Sequence, residues 1–282
     1  MAKKQKNTEP QYYMSATNSK MLNYRVYVMS GGEKLFYTLG IFIAGGLVGL
    51  IFYGGLFQNE DGATLATYIS NIVIFVIVGI IALKMFLPTV NDMLKNSRIK
   101  KLRGQFRDFL DSLSNSLSSG MNMNDALMNS YSDLVSQYSD TAFIVLEVKE
   151  MINGIQNNIA IEDIIKDFGR RSSIEDISNF ATVFETSYRT GGNIKEIVRR
   201  TTDIISEKMM ITEEINTKLT SNKMQMQIMN VIPIFLVLMM KSMSSDFASS
   251  FSSVLGVIGT TVGVVFFLLS YRMGQKIMDI KG

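Results

Sequence analysis

The 282-residue chain contains no cysteine, no histidine and no tryptophan, and only three prolines. Without cysteine there are no disulfides and no thiolate metal sites. Without histidine the chain lacks the commonest general base near neutral pH and the commonest metal ligand. Serines are plentiful, but a serine nucleophile needs a base, and only carboxylates and lysines remain for that role. No phosphate-binding loop is present either. Gly31-Gly32, Gly45-Gly46 and Gly54-Gly55 are not followed by the Lys-Ser/Thr of a Walker motif. The formal net charge of +3 is too small to indicate a nucleic-acid partner. No aromatic interleaving or known nucleic-acid module accompanies the basic residues, so no nucleic acid is expected, and no cofactor.

What the chain does have is apolar residues, 47% of the total, at a mean hydropathy of +0.18. They are gathered into blocks. A bilayer-crossing helix needs about 20 predominantly apolar residues. Four stretches qualify: 35–57, 66–87, 224–240 and 247–271. Lys84 lies near the end of the second, where a lysine side chain reaches the headgroups. The third holds Gln225, Gln227 and Asn230 near its start and Pro233 inside. Paired glycines in the first span suit close helix contact.

Basic residues near span ends set the orientation. Lys3, Lys4, Lys6, Lys20, Arg25 and Lys34 precede the first span. Lys95, Arg98, Lys100, Lys101 and Arg103 follow the second, and Arg272, Lys276 and Lys281 follow the fourth. The loop between the first two spans carries only Glu60 and Asp61, and the loop between the last two balances Lys241 against Asp246. Both termini and the central region are therefore expected in the cytoplasm, with the protein in the cytoplasmic membrane. Residues 1–34 form an N-terminal cytoplasmic tail, of which 1–30 read as polar and mobile. The basic run 95–103 beside a span points to anionic membrane lipids.

Residues 89–223 lack proline and show apolar residues at three- and four-residue steps. Leu102, Phe106, Phe109, Leu110, Leu113 and Leu117 form one stripe; Ile177, Phe180, Phe184 and Tyr188 form another. No strand-like alternation of any length occurs. The expected fold is all-α: four transmembrane helices and one cytoplasmic bundle of six helices. Gly120, Gly169 and Gly191-Gly192 stand where helices should end. Ser172 and Glu175 have capping-box spacing, and Asn193 and Glu196 a looser version of it. A repeat is visible at a shift of 71 positions: Phe109 falls on Phe180, Leu113 on Phe184, Leu117 on Tyr188, Gly120 on Gly191, Met123 on Ile194 and Leu127 on Val198. The last helix, from about Asn193, meets no break before the third span, so it is expected to continue into the membrane.

Three places resemble the type II secretion system F domain, the platform-protein family of type II secretion, type IV pili, Tad pili and archaella. They are Phe106-Arg-Asp-Phe109-Leu110-Asp-Ser-Leu113 leading to Leu117-Ser-Ser-Gly120 and Ala126-Leu127; Phe180-Ala-Thr-Val-Phe184-Glu185 leading to Thr190-Gly191-Gly192-Asn193-Ile194; and the last two spans, with Pro233 and with Gly274 before Lys276-Ile277. A single such domain between two pairs of spans resembles the Tad branch; two-domain, three-span platforms differ from it. The resemblance implies a non-enzymatic platform of a Tad pilus, type IV pilus or type II secretion machine. It implies a hexameric secretion ATPase on the cytoplasmic side, pilin subunits in the bilayer, and a homo-oligomer or a paired sister platform.

Candidate contact and hinge residues are Gly120, Arg170, Arg171, Glu185, Gly191, Gly192, Asn193, Arg199 and Arg200. Glu185 either anchors the bundle, caps a helix or touches the ATPase. The pairs Arg170-Arg171 and Arg199-Arg200 either dock an acidic partner or are solvated faces. Asn230, Pro233, Gly256, Gly259 and Gly263 are candidates for pilin or helix contact in the membrane. The frequent methionines serve a pliable surface or ordinary filling. A transporter or channel subunit is the alternative, and a membrane enzyme a third; a transporter needs ionisable residues inside its spans, where only Lys84 stands.

Overall fold

A computed structural model describes residues 9–57, 63–243 and 245–278. Lys3, Lys4, Lys6, Glu60, Asp61 and Lys281 of the charge pattern lie outside the described residues. The chain is nearly all-α. Two short strands, β1 (Tyr12–Met14) and β2 (Lys20–Leu22), precede helices α1 (Gly31–Tyr53), α2 (Leu65–Ser118), α3 (Met123–Gln137), α4 (Phe143–Gln156), α5 (Ile161–Ser172), α6 (Glu175–Arg189), α7 (Ile194–Met243), α8 (Ser245–Ser252) and α9 (Val254–Met278). Among the described residues four helices, α1, α2, α7 and α9, are long and apolar enough to cross a membrane.

The chain divides into two units: residues 1–28 with 91–211, and residues 29–90 with 212–282. The helical unit holds α3 to α6 whole, with stretches of α2 and α7. Its core is built from the two apolar stripes: Leu102, Phe106, Phe109, Leu110 and Leu113 on α2, and Ile177, Phe180 and Phe184 on α6, are buried. Phe106 meets Phe180 edge-on at 5.6 Å and Phe168 at 6.0 Å, a geometry aromatic rings favour over face-to-face stacking.

The repeat extends to the backbone. At Gly120 and Gly191 the chain turns with φ of +87° and +72°, a region glycine enters without a Cβ clash. Met121 N–H donates to Ser116 O at 3.2 Å, and 71 residues on Gly192 N–H donates to Ser187 O at 2.7 Å. The next helix then starts on an asparagine cap in both copies. Asn122 Oδ1 accepts from Asp125 N–H at 3.0 Å, and Asn193 Oδ1 from Glu196 N–H at 3.2 Å. Replacing Gly120 or Gly191 by alanine should destabilise the unit by about 1–2 kcal/mol each, the cost of a left-handed L-residue, measured as thermal unfolding by circular dichroism. A substitution such as Ser119→Ala should be near neutral.

Three expectations need correction. Residues 9–28 are not a mobile tail. They fold into an antiparallel hairpin pairing Tyr12 with Leu22 and Met14 with Lys20, and Asn23 and Tyr24 are fully buried. Gly169 does not end a helix: it lies inside α5, where a Cβ would come within 3.2 Å of the Ala181 Cβ, so it serves the close approach of α5 and α6. Ser172 and Glu175 form no capping box. Ser172 Oγ accepts from Ile174 N–H at 3.2 Å instead, across a left-handed Ser173. The box that does form, Ser30 with Glu33, opens α1.

In the second unit α1 and α2 pack through glycine. A Cβ on Gly46 would meet the Phe75 ring at 2.5 Å, one on Gly79 the Phe42 ring at 2.7 Å, and one on Gly45 would collide with the Ala82 Cβ. The turn after α1 is held by polar groups of other helices. Lys241 Nζ donates to Gly54 O at 3.1 Å, Ser252 Oγ to Gly55 O at 2.9 Å and Thr67 Oγ1 to Phe57 O at 2.8 Å. The uncharged run 247–271 is two helices. Ser253 interrupts it, its Oγ accepting from Gly256 N–H at 3.1 Å and donating to Ser250 O at 2.7 Å, because serine side chains compete with helical backbone bonds.

Candidate functional site

The candidate residues separate into the glycine turns described above, an ionic seam between α5 and α6, and a buried centre below the hairpin. In the seam Glu185 on α6 accepts from Lys166 on α5 at 2.8 and 3.0 Å. Arg189, one turn along, lies 3.5 Å from Glu185, 3.4 Å from Glu162 and 3.6 Å from Asp163. Glu185 therefore joins two helices, as a bundle anchor does. The Lys166 hydrogen bond, with its charge and that of Arg189, holds the Glu185 carboxyl below its ordinary range despite an opposing effect of desolvation.

The sign of the pH effect follows. A carboxylate with a depressed folded pKa stabilises the fold above its unfolded pKa, about 4.3, and the stabilisation is lost as pH falls through the folded value. Lys166→Gln should remove that part of the acid sensitivity. Unfolding midpoints of parent and variant should differ most at about pH 6–7 and converge below about pH 3.

The buried centre was not legible as a site. Arg171 is 3% exposed and Glu147 1%. Arg171 donates to both carboxylate oxygens of Glu147 at 2.8 and 2.7 Å, to Asp167 at 2.6 Å and to Leu22 O at 3.2 Å. Tyr24 donates its hydroxyl to Glu147 at 2.9 Å and its N–H to Arg171 O at 3.0 Å. Burial pushes the Glu147 carboxyl up, against the pull of Arg171 and Tyr24. Burial opposes the Arg171 charge, but Glu147 and Asp167 more than offset it and its pKa is raised. Burial, with Glu147 beside it, raises the Tyr24 phenol well above its usual value. Arg171 is thus no half of an exposed docking pair; Arg170, 72% exposed and 3.5 Å from Asp167, is the outward member.

Further polar ties surround this centre. Glu150, one turn beyond Glu147, accepts from Ser15 at 2.7 Å and from Ser19. Asp176 is buried between Lys208 at 2.5 Å and Arg103 at 3.4 Å. Tyr138 donates to Asp108, and burial with that bond pushes the phenol up to about 12. Sequence reading missed Tyr24, Glu147 and Glu150. The available signal was the placing of Glu147 and Glu150 among the buried Val145, Val148 and Met151 of α4.

Of the other candidates, Arg199 is exposed and 3.4 Å from Glu196, and Arg200 is exposed on the same helix. Asn230 and Pro233 are half-buried on α7; an apolar hollow of about 340 Å³ on that helix is lined instead by Gln227, Ile228, Val231, Ile232 and Phe235. Gly256 lies in the first turn of α9, just past the break at Ser253, and the space beside Gly259 and Gly263 is open. Among the described residues no group of three histidine, cysteine or carboxylate side chains is placed to hold a metal ion.

Residues 109–240 match the family model of the type II secretion system (T2SS), protein F. The matched stretch takes in both glycine turns, the α5–α6 seam and Glu147, and runs along α7 as far as Met240. Proteins of that family are platforms of secretion or pilus assembly, found in the inner membrane and working with secretion ATPases and pilins. Comparison with curated proteins and with solved structures returned no match. The hairpin and α1 lie before the matched T2SS protein F domain.

Proposed function

We propose that the chain is a non-enzymatic platform of a Tad-type pilus machine, set in the cytoplasmic membrane with the helical unit and both termini in the cytoplasm. A hexameric secretion ATPase engages the helical unit, and pilin meets the apolar helices. The platform carries motion from one to the other.

The observation that supports this most is α7. It is one helix of 50 residues, Ile194–Met243, about 75 Å long at 1.5 Å per residue. Its residues to Ile211 belong to the helical unit and those from Thr212 to the apolar unit. α7 is helical without a break across that point, and α2, of 54 residues, is continuous in the same way. A continuous helix resists axial and bending displacement because every turn is hydrogen-bonded to the next. The stitching of α5 to α6 by Glu185, Lys166 and Arg189 keeps the receiving unit from absorbing the motion.

The exposed guanidinium groups of Arg170, Arg199 and Arg200 offer contacts to an acidic partner face. The apolar hollow at Ile228, Val231 and Phe235, with the open flank at Gly259 and Gly263, suits close approach of a pilin helix. Purification of the tagged chain from detergent with co-expressed cognate ATPase and pilin tests the reading. Both should co-elute with the platform. Recovery of neither would overturn it.

A further inference from the structure

The hairpin of residues 9–28 touches the helical unit at separate points. Tyr24 reaches Glu147 and the backbone of Arg171, Leu22 accepts from Arg171, and Ser15 and Ser19 hold Glu150. Tyr24 also packs edge-on against Phe143 and Phe168 at 5.7 and 6.5 Å, and clefts flank these contacts. A cavity of about 350 Å³ separates Tyr12, Met21 and Leu22 from Phe143, Leu146 and Glu150. A second of about 350 Å³ lies among Tyr13, Met14, Arg25, Asp167, Arg170 and Arg171. Along these solvent-open clefts the hairpin and the helices make no contact, and unfilled contact forfeits dispersion attraction.

The ionic centre also does not depend on the hairpin. Arg171 keeps Glu147 and Asp167, all three on α4 and α5, when Tyr24 and Leu22 leave. Removal of the hairpin thus breaks no buried ion pair. Glu150 exchanges serine hydroxyls for water. The hairpin itself has strands of three residues, and an isolated two-stranded hairpin is marginal in water.

We propose that residues 9–28 are an exchangeable strap, the resident occupant of a peptide groove on α4 and α5, which undocks and unfolds in one step while the helical unit stays folded. The groove takes a segment whose tyrosine reaches a buried carboxylate and whose preceding serine-lined turn would be replaced only by another hydroxyl-bearing turn. The segment that fits is this hairpin, in cis or supplied in trans.

Hydrogen exchange on the intact chain in detergent micelles tests this, independently of the platform reading. Amides of residues 12–24 should exchange together and faster than those of Ala181 and Phe184 in α6. Tyr24→Phe, which loses a hydrogen bond to a charged group, should speed hairpin exchange about tenfold or more and leave α6 unchanged. A fluorescein-labelled peptide of residues 9–28 should bind the Tyr24→Phe chain more tightly than the parent, and the same peptide carrying Tyr24→Ala should not bind. Hairpin exchange at the α6 rate, equal acceleration of both regions, or peptide binding indifferent to Tyr24 would overturn the proposal.

Discussion

Arg171→Met should destabilise the helical unit by about 3–5 kcal/mol, the cost of leaving one member of a buried ion pair uncompensated. The reason lies in the asymmetry between removing one partner and removing both. Glu147 is 1% exposed and receives two hydrogen bonds from Arg171. With methionine there, only the Tyr24 hydroxyl remains to it. The carboxyl then takes up a proton or drags water into the core, and either change weakens packing around Phe168 and Val148. The double variant Glu147→Met with Arg171→Met should recover much of the loss, since replacement of a whole buried ion pair by apolar residues of similar volume is often near neutral. Asp167, less deeply placed and lining an open cavity, is able to hydrate. Denaturant unfolding followed by circular dichroism measures both variants. Equal stability of the single variant and the parent would show that the centre does not hold the fold.

Glu214→Pro should abolish filament assembly while leaving the chain inserted in the membrane. Glu214 is exposed on α7 and pairs with Lys218 at 2.8 Å, a surface contact worth at most about 1 kcal/mol. Glu214→Ala is therefore expected to be silent. Proline at the same place removes a backbone donor and clashes with the carbonyl four residues earlier, kinking or breaking the helix at about 3 kcal/mol or more. The position lies just past Ile211, where the helix passes from one unit to the other. Co-purification with the ATPase should survive, because the helical unit keeps its own core, whereas assembly of pili, scored by electron microscopy, should fail. Pili at parental number in the proline variant would mean that no motion travels along α7.

Much of this architecture is written in local chemistry. The stripes Leu102–Leu113 and Ile177–Phe184 have a helical period strong enough to place both faces of the core, and glycines 71 apart mark turns that only a residue without Cβ makes cheaply. The continuity of α7 was readable from the lack of any breaker but Pro233. α2 was harder, because Pro88 marks a natural end, yet the helix continues through it. Residues 9–28 were misread for a different reason. Their strands are too short for an alternation to register, and their order comes from Tyr24 meeting Glu147, 123 residues away. Gly169 likewise follows a helical stripe as a cap glycine would, but its purpose depends on Ala181 of another helix. Arg171 beside Arg170 reads as surface until the carboxylates that surround it are placed. In each case the deciding contact is tertiary, and no window along the chain contains both partners.

The absence of cysteine makes the central claim directly accessible. A single cysteine introduced as Arg200→Cys, exposed on α7 in the helical unit, gives one reactive thiol in the chain. In intact cells a membrane-impermeant maleimide should leave it unlabelled, and labelling should appear once the membrane is opened. Labelling from outside intact cells would place the helical unit beyond the reach of any cytoplasmic motor and contradict the account.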